Sequence, residues 1–334
     1  MSLNCWFDKM KTNLFLSIII PLYNSQETIG KCLDSIYSSN YPRNKYEVVV
    51  VDDCSTDNSA SIVSGYPCKL IKLNKNSGPA AARNSGAKKS KGGILVFIDS
   101  DVVIGKNFFN ITASSFNKEI VCLTAINTKK SNYNLTTDFF NLLDHFVFLK
   151  SPQYAMLPCT SYCTVKKSIF KDLGGFNENY KKSHVEDLEL GLKLMNKRYK
   201  IYLNKKLKFT HLKKYSFLGF LKYGFLRSFY RIKVLLNTKD IRTTSNYYPL
   251  NTSLLFLVLV LVGLGFLLNK VFFLLCLIPL ILLFLHNFEF LKFLKQEKGL
   301  VFAIISLFMI VAQSFIWVIG IAIGSISFFL GDKY

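Results

Sequence analysis

Two long stretches of this chain carry almost no charge. The first runs from Leu250 to Phe288 and is broken only at Asn269-Lys270; the second runs from Gly299 to Leu330. A bilayer's hydrocarbon core takes about 20 apolar residues in helical form. Leu250–Leu268 and Val271–Phe288 are therefore each long enough for one crossing, and Gly299–Leu330 for one tilted crossing. Residues 250–334 read as a transmembrane region of about three helices. Residues 1–249 have the mixed polarity of a globular part.

Charge is divided just as unevenly. The 334 residues hold 42 Lys and Arg against 21 Asp and Glu, a net charge of +21. Between Leu190 and Lys239 there are fourteen Lys or Arg and no acidic residue. Beside membrane segments, such an excess suits anionic lipids or a phosphate-bearing substrate better than nucleic acid. Lys292, Lys295 and Lys298 read as a basic loop between the second and third spans. By the positive-inside bias, that loop and the basic globular part lie on the cytoplasmic side of the membrane. The stretch 213–249 reads as an interfacial helix and linker, because Tyr215–Leu236 interleaves Phe217, Leu221, Phe225 and Phe229 with Lys222, Arg227, Arg231 and Lys233. Eight Cys include no C-x-x-C pair, and Cys159 and Cys163 have no second pair to complete a zinc site. Reduced, mostly buried thiols are expected. Leu14–Leu22 is too short to span a bilayer and is followed by no small-residue cleavage site, so it reads as a buried strand and not a secretory leader.

The globular part alternates strand and helix patterns. Phe15–Ile20, Tyr46–Val51, Cys68–Leu73 and Ile94–Ile98 are the strand candidates. Ser25–Ser39, with Ser25 as N-cap, Asp57–Ser64 and Gly78–Lys89 are the helices between them. This order predicts an α/β domain over residues 1–212 with a mainly parallel, Rossmann-like sheet. Later elements are less regular: a helix over Thr137–Leu149, a strand over Ser161–Val165, a helix over Val185–Met195, and short strands over Tyr199–Leu203 and Lys206–His211. Ligands of such sheets bind beyond the carboxyl ends of the strands. That rule singles out Tyr23-Asn24, Asp52-Asp53 and Asp99-Ser100-Asp101. Two carboxylates one residue apart, just past a buried strand, suit a hard divalent cation and a diphosphate. A D-x-D tripeptide alone also fits a solvated turn.

The wider set is more specific. Ser17-Ile-Ile-Ile-Pro-Leu-Tyr-Asn24, Val48-Val-Val-Val-Asp-Asp-Cys-Ser-Thr-Asp57, Asn76-Ser-Gly-Pro-Ala-Ala-Ala-Arg-Asn84 and Asp99-Ser-Asp101 resemble, in order and spacing, family 2 of the inverting glycosyltransferases over about residues 14–235. The resemblance implies a GT-A fold, a nucleotide-sugar donor (a UDP-sugar) and a divalent metal, Mn²⁺ or Mg²⁺. It implies that Pro21, Tyr23 and Asn24 border the nucleotide base, with Tyr23 stacking on it. Asp53 would accept a hydrogen bond from the base, with Asp52 beside it. Arg83 would lie near the nucleotide, where a fixed cation also helps the diphosphate. Asp99 and Ser100 would face the ribose or sugar, and Asp101 would hold the metal. The family usually has Gly where Cys54 sits, so the turn there is expected to differ. Gly174-Gly175-Phe176-Asn177-Glu178 is similar to the family's loop beside the acceptor. His184-Val-Glu-Asp-Leu-Glu-Leu190 is similar to its E-D motif, which makes Asp187 the candidate base and Glu186 the runner-up. Both carboxylates also suit a helix N-terminus. In some relatives a His placed like His211 completes the metal site. The R/Q-x-x-R-W motif of processive synthases has only a distant echo in Arg227-Ser-Phe-Tyr-Arg231.

The expectation is thus a membrane-anchored inverting glycosyltransferase acting on a hydroxyl of a lipid-linked or saccharide acceptor. The alternatives are a polyprenyl-phosphate glycosyltransferase and a non-catalytic membrane scaffold of the same fold.

Overall fold

The apolar run that opens the described chain forms β1 (Leu16–Leu22), six of whose seven residues are buried. The computed structural model describes residues 14–334 apart from 118, 131–132, 156–157, 159–160, 181–184, 241 and 243–246. Cys5, Cys159, His184 and the end of the linker at Asn246 lie outside the described residues.

After β1 come α1 (Ile29–Tyr37), β2 (Tyr46–Asp52), α2 (Ser59–Ser64), β3 (Lys69–Lys72), α3 (Pro79–Lys89), β4 (Ile94–Ile98) and β5 (Val102–Ile104). Up to β4 these match the strand–helix alternation read from the sequence, with one local correction; β5 was not expected. Ser25 is not the N-cap of α1; that position is Thr28, and the carbonyl of Ser25 accepts the amides of Thr28 and Ile29 in the turn before it. The chain continues through α4 (Phe108–Ser115), β6 (Ile120–Asn127), α5 (Leu135–Lys150), β7 (Tyr154–Ala155), β8 (Tyr162–Lys166), α6 (Lys167–Asp172), α7 (Glu186–Asn196) and β9 (Lys200–His211). The two short strands expected at the end are this one long β9, whose pairing with β6 is interrupted by register shifts.

The nine strands make one sheet in the order β3-β2-β1-β4-β8-β6-β9-β5, with β7 also on β9. Strands β3, β2, β1 and β4 are parallel, as the crossover helices require. Beyond β4 the sheet is mixed: β8 runs antiparallel to both β4 and β6, β6 and β9 are parallel, and β5 is antiparallel to β9. A fully parallel continuation would need a helical crossover for every strand. Here β4 leads through Asp99-Ser100-Asp101 directly into β5, which pairs with the far strand β9.

Residues form two units. The first is Met1–Lys130 with Ser151–Lys213, and the second is Ser131–Lys150 with Lys214–Tyr334. Helix α5 belongs to the second, although its sequence falls within the expected 1–212 domain. The second unit also contains α8 (Phe217–Thr238), α9 (Tyr247–Leu267), α10 (Val271–Leu275), α11 (Leu277–Lys298) and α12 (Leu300–Phe329). Among the described residues, three segments are long and apolar enough to cross a membrane: Tyr247–Leu267, Val271–Lys298 and Leu300–Phe329, with mean hydropathies of 2.4, 2.5 and 2.4. Lys292, Lys295 and Lys298 are not in a loop. Helix α11 continues through Lys298, and the chain reverses at Gly299, whose φ is 90°.

Helix α8 packs on α12 through small residues. A Cβ at Gly320 would run into Ser228 Oγ and lie 2.8 Å from the Phe225 carbonyl oxygen. One at Gly324 would lie 2.6 Å from the Phe229 carbonyl oxygen. The Gly320-x-x-x-Gly324 spacing therefore serves close backbone approach between helices. Gly320→Leu should lower the thermal midpoint of the purified chain in detergent by several degrees, the overpacking cost being about 1–3 kcal/mol. An unchanged midpoint would mean that the two helices do not meet in solution.

Candidate active site

Three parallel strands end side by side and bring their loops together. The amide of Asp53, just past β2, donates to Leu22 O of β1 at 2.8 Å. The carboxylate of Asp53 is buried and accepts the amides of Ser77 at 2.7 Å and Gly78 at 2.8 Å. It thereby fixes the Asn76-Ser-Gly-Pro turn that opens α3. Asn24 ties the first two loops together, its Oδ1 accepting the Thr56 amide at 2.8 Å. Ser100 Oγ bonds Ser25 Oγ at 2.8 Å. Asp52 Oδ1 accepts the Ser55 amide at 3.0 Å. Between these residues sits Cys54 at φ 66°, in the left-handed region. The turn is the one a glycine would adopt, held here by a residue with a Cβ, which costs about 1–2 kcal/mol.

Pro21, Tyr23, Asp53, Asn76, Arg83, Asp99, Ser100, Asp101, His211 and Lys213 all line one cavity of about 610 Å³. Tyr23 is half exposed, with its ring available for stacking. Asn24, Asp52, Glu186 and Asp187 do not line the cavity. The first two act on loop shape. Lys213 was not singled out from the sequence. Its signal there is its place two residues past His211, the spacing that keeps side chains on one face of an extended chain.

Asp99, Asp101 and His211 each present a ligand atom within 4.8 Å of the others. The backbone builds this cluster through the β5–β9 pairing, in which Val102 lies opposite His211, and through the Leu212 amide, which donates to Asp101 O at 2.7 Å. Asp101 Oδ1 is buried and accepts no hydrogen bond, although His211 Nε2 stands 3.3 Å away. A buried carboxylate oxygen left without a donor, facing an imidazole nitrogen and a second carboxylate, is a donor set that fits a divalent cation. Beneath it the Cys32 thiol donates to Asp99 O at 3.6 Å. Burial, and then the charges of Asp101 and Asp99, push its pKa well above the usual thiol range, so it stays neutral.

Arg83 borders the cavity, as expected, but it is buried and paired there. Its side chain is 1% exposed and its two terminal nitrogens are already engaged, Nη2 with Asp99 Oδ1 at 2.7 Å and Nη1 with Glu186 Oε1 at 2.8 Å. Burial alone would lower the guanidinium's pKa, but the Asp99 and Glu186 carboxylates outweigh it and raise it. Its charge is thus shared between two acids. Glu186 is held by the same pair, and its second oxygen accepts the Val185 amide at 3.2 Å. Asp187, the next residue, is half-buried in the first turn of α7.

Comparison with known proteins agrees with this geometry. Residues 17–174 match the family described as Glycosyl transferase family 2. Over 154 residues the chain is 37% identical to a poly(ribitol-phosphate) beta-glucosyltransferase of Bacillus spizizenii, covering 41% of this chain and 24% of that one. Over 92 residues it is 42% identical to glycosyltransferase AglE of Haloferax volcanii, covering 26% of this chain and 30% of that one. The chain thus spans less than a third of the length of these relatives. The fold is shared with the mannosyltransferase PcManGT of Pyrobaculum calidifontis, solved in complex with GDP-Man and Mn²⁺: TM-score 0.57, 20% identity and 72% of each chain covered.

Replacing Arg83 by Met leaves Glu186 and Asp99 facing each other without a cation. Removing one member of a buried ion group costs about 3–5 kcal/mol, so Arg83→Met should lower the thermal midpoint by many degrees. Pairing it with Glu186→Gln should recover part of that loss. Equal midpoints for wild type and Arg83→Met would refute the ion triad.

Proposed function

We propose that this chain, which carries a glycosyl transferase family 2 domain over residues 17–174, is a membrane-anchored, metal-dependent inverting glycosyltransferase. It moves a sugar from a nucleotide-sugar, a UDP-sugar, to a hydroxyl of a lipid-linked or saccharide acceptor. The observation that carries this reading is the convergence of Asp99, Asp101 and His211 in the same cavity as Tyr23 and Asp53. A group of potential cation ligands beside a ring available for stacking, near the carboxyl ends of parallel strands, supports a nucleotide-sugar site.

The roles follow from position. Tyr23 stacks on the base, and Pro21 and Asp53 border it. Asp53 has both carboxylate oxygens on backbone amides, so its contribution to the base depends on its remaining lone pairs and on the turn it holds. Mn²⁺ or Mg²⁺, held by Asp101, Asp99 and His211, would offset negative charge on the diphosphate. Asp187 is the base that takes the proton of the acceptor hydroxyl. The hydroxyl oxygen bonds to the anomeric carbon as the bond from that carbon to the diphosphate oxygen breaks, so nucleoside diphosphate leaves and the configuration inverts. The three apolar helices anchor the chain in the membrane. Its basic charge and the lysines at the end of α11 support a cytoplasmic position for the catalytic domain. An anchored domain meets a lipid-linked acceptor at raised effective concentration.

A panel of nucleotide-sugars supplied with Mn²⁺ or Mg²⁺ should release nucleoside diphosphate from one or a few donors, and chelation should stop the release. Asp101→Asn should abolish most turnover with the thermal midpoint preserved. Near-normal turnover in that variant would overturn the metal assignment.

Asp187→Asn separates base from donor site. A positioned base contributes about 10²–10⁴-fold to rate, so single-turnover transfer should fall within that range while UDP affinity by calorimetry stays unchanged. A loss under about tenfold, or 1.4 kcal/mol of barrier, would instead favour a phosphate acceptor, which is already ionised.

A further inference from the structure

On α11, Phe284, Phe288, Leu291 and Lys295 recur at three- and four-residue spacing and make one stripe, with Lys292 beside it. On α12, Leu300, Ala303, Ile304 and Leu307 make a second stripe. The two stripes enclose a groove of about 330 Å³. Its floor is Ala303, buried at 5% exposure, while Phe284, Phe288, Leu300 and Ile304 stand exposed along its walls. The groove is apolar along its length except at the end of α11, where Lys292 and Lys295 border it.

Those two lysines differ from their basic neighbours. Lys298 is bonded to Asp138 at 2.8 Å, and Lys150 takes Glu289 at 3.0 Å. Among the described residues the side chains of Lys292 and Lys295 have no hydrogen bond or ion pair, and Lys292 feels only the more distant charge of Glu289, whose carboxylate is already bonded to Lys150. From Phe284 to Lys295 a helix rises about 16 Å, close to the depth of one leaflet in a hydrocarbon core about 30 Å thick. An apolar trough one leaflet deep, with two exposed ammonium groups at its headgroup end that make no hydrogen bond, is complementary to a molecule with one phosphate and a hydrocarbon chain.

We propose that the α11–α12 groove is a binding site for a single anionic phospholipid. One acyl chain lies over Ala303 between Phe288 and Ile304, and the phosphodiester is held by Lys292 and Lys295. The two ammonium groups discriminate against zwitterionic lipids, whose own cation competes for the phosphate. The chain confers a preference over free phosphate esters, because the groove supplies apolar area and no further polar contact. The site rests on the membrane-anchored reading of the chain and is separate from the transfer chemistry.

The test is native mass spectrometry of the full chain in detergent, titrated with phosphatidylglycerol, phosphatidylcholine, undecaprenyl phosphate or glycerol phosphate. Phosphatidylglycerol should be retained at one copy and phosphatidylcholine should not. Each lysine near a lipid surface is worth about fivefold in affinity, so Lys292→Gln with Lys295→Gln should weaken that binding by about twentyfold or more. Ala303→Phe, which fills the floor, should remove it. Because the bulky variant could fail to fold, the exposed lysine pair carries the decision. Equal binding of phosphatidylglycerol and phosphatidylcholine, or no effect of the lysine pair, overturns the proposal. So does competition by glycerol phosphate alone, which would make the site a phosphate site, or tighter lysine-dependent binding of undecaprenyl phosphate, which would make it an acceptor site. A chain that stays soluble without detergent and binds no lipid would instead refute the membrane anchoring itself.

Discussion

The first unit depends on one buried cation. Arg83 stands on α3 and joins the end of β4 to the start of α7 through Asp99 and Glu186. Its cost of desolvation is offset because both acids approach within hydrogen-bond distance and the Phe176 ring faces the guanidinium at 5.6 Å. The consequence is geometric. Asp99 is the first residue of the D-x-D tripeptide, and Glu186 precedes Asp187. One guanidinium therefore sets the spacing between the residues proposed to meet the donor and the residue proposed to deprotonate the acceptor.

The same arrangement explains the electrostatics of the cavity. The cavity lining carries Asp53, Asp99 and Asp101 against Arg83 and Lys213, and Asp99 and Arg83 already offset each other. The acids left over, Asp53 and Asp101, outnumber Lys213, which disfavours a bare diphosphate at the Asp101 end. On the proposed function a divalent cation would reverse that sign locally and would supply the partner that the buried Asp101 oxygen lacks among the described residues. Donor binding and metal binding would then be thermodynamically coupled, each raising the affinity of the other.

Much of this was legible before the structure, for identifiable reasons. Strands β1, β2 and β4 are buried on both faces, so each is a continuous apolar run, and the residues just past them stand out as polar. The three helices long and apolar enough to cross a membrane announce themselves by length and hydropathy. The partnership of Arg83 with Glu186 was not legible, because it joins residues 103 apart in the chain and depends on where α7 begins. The mixed half of the sheet was also hidden. Strands β5 and β7 are three and two residues long and carry no periodicity of their own, and β6 was not recognised as a strand although seven of its eight residues are buried. The turn at Cys54 kept its left-handed shape despite losing the glycine, because Asp52, Ser55 and Asn24 hold the loop from both sides.

Helix α5 places a constraint on how the chain is made. It is translated between β6 and β8, yet its buried face of Phe139, Leu142, Leu143 and Phe146 packs with Phe220, Phe290 and Met309, which are synthesised much later. On the ribosome the sheet can close once β9 emerges, while α5 must wait with an unsatisfied apolar face until the last helices arrive. The first unit is therefore not an excisable stretch of sequence. A cut after Lys213 would keep every strand of the sheet but leave α5 without the later helices that cover its apolar face.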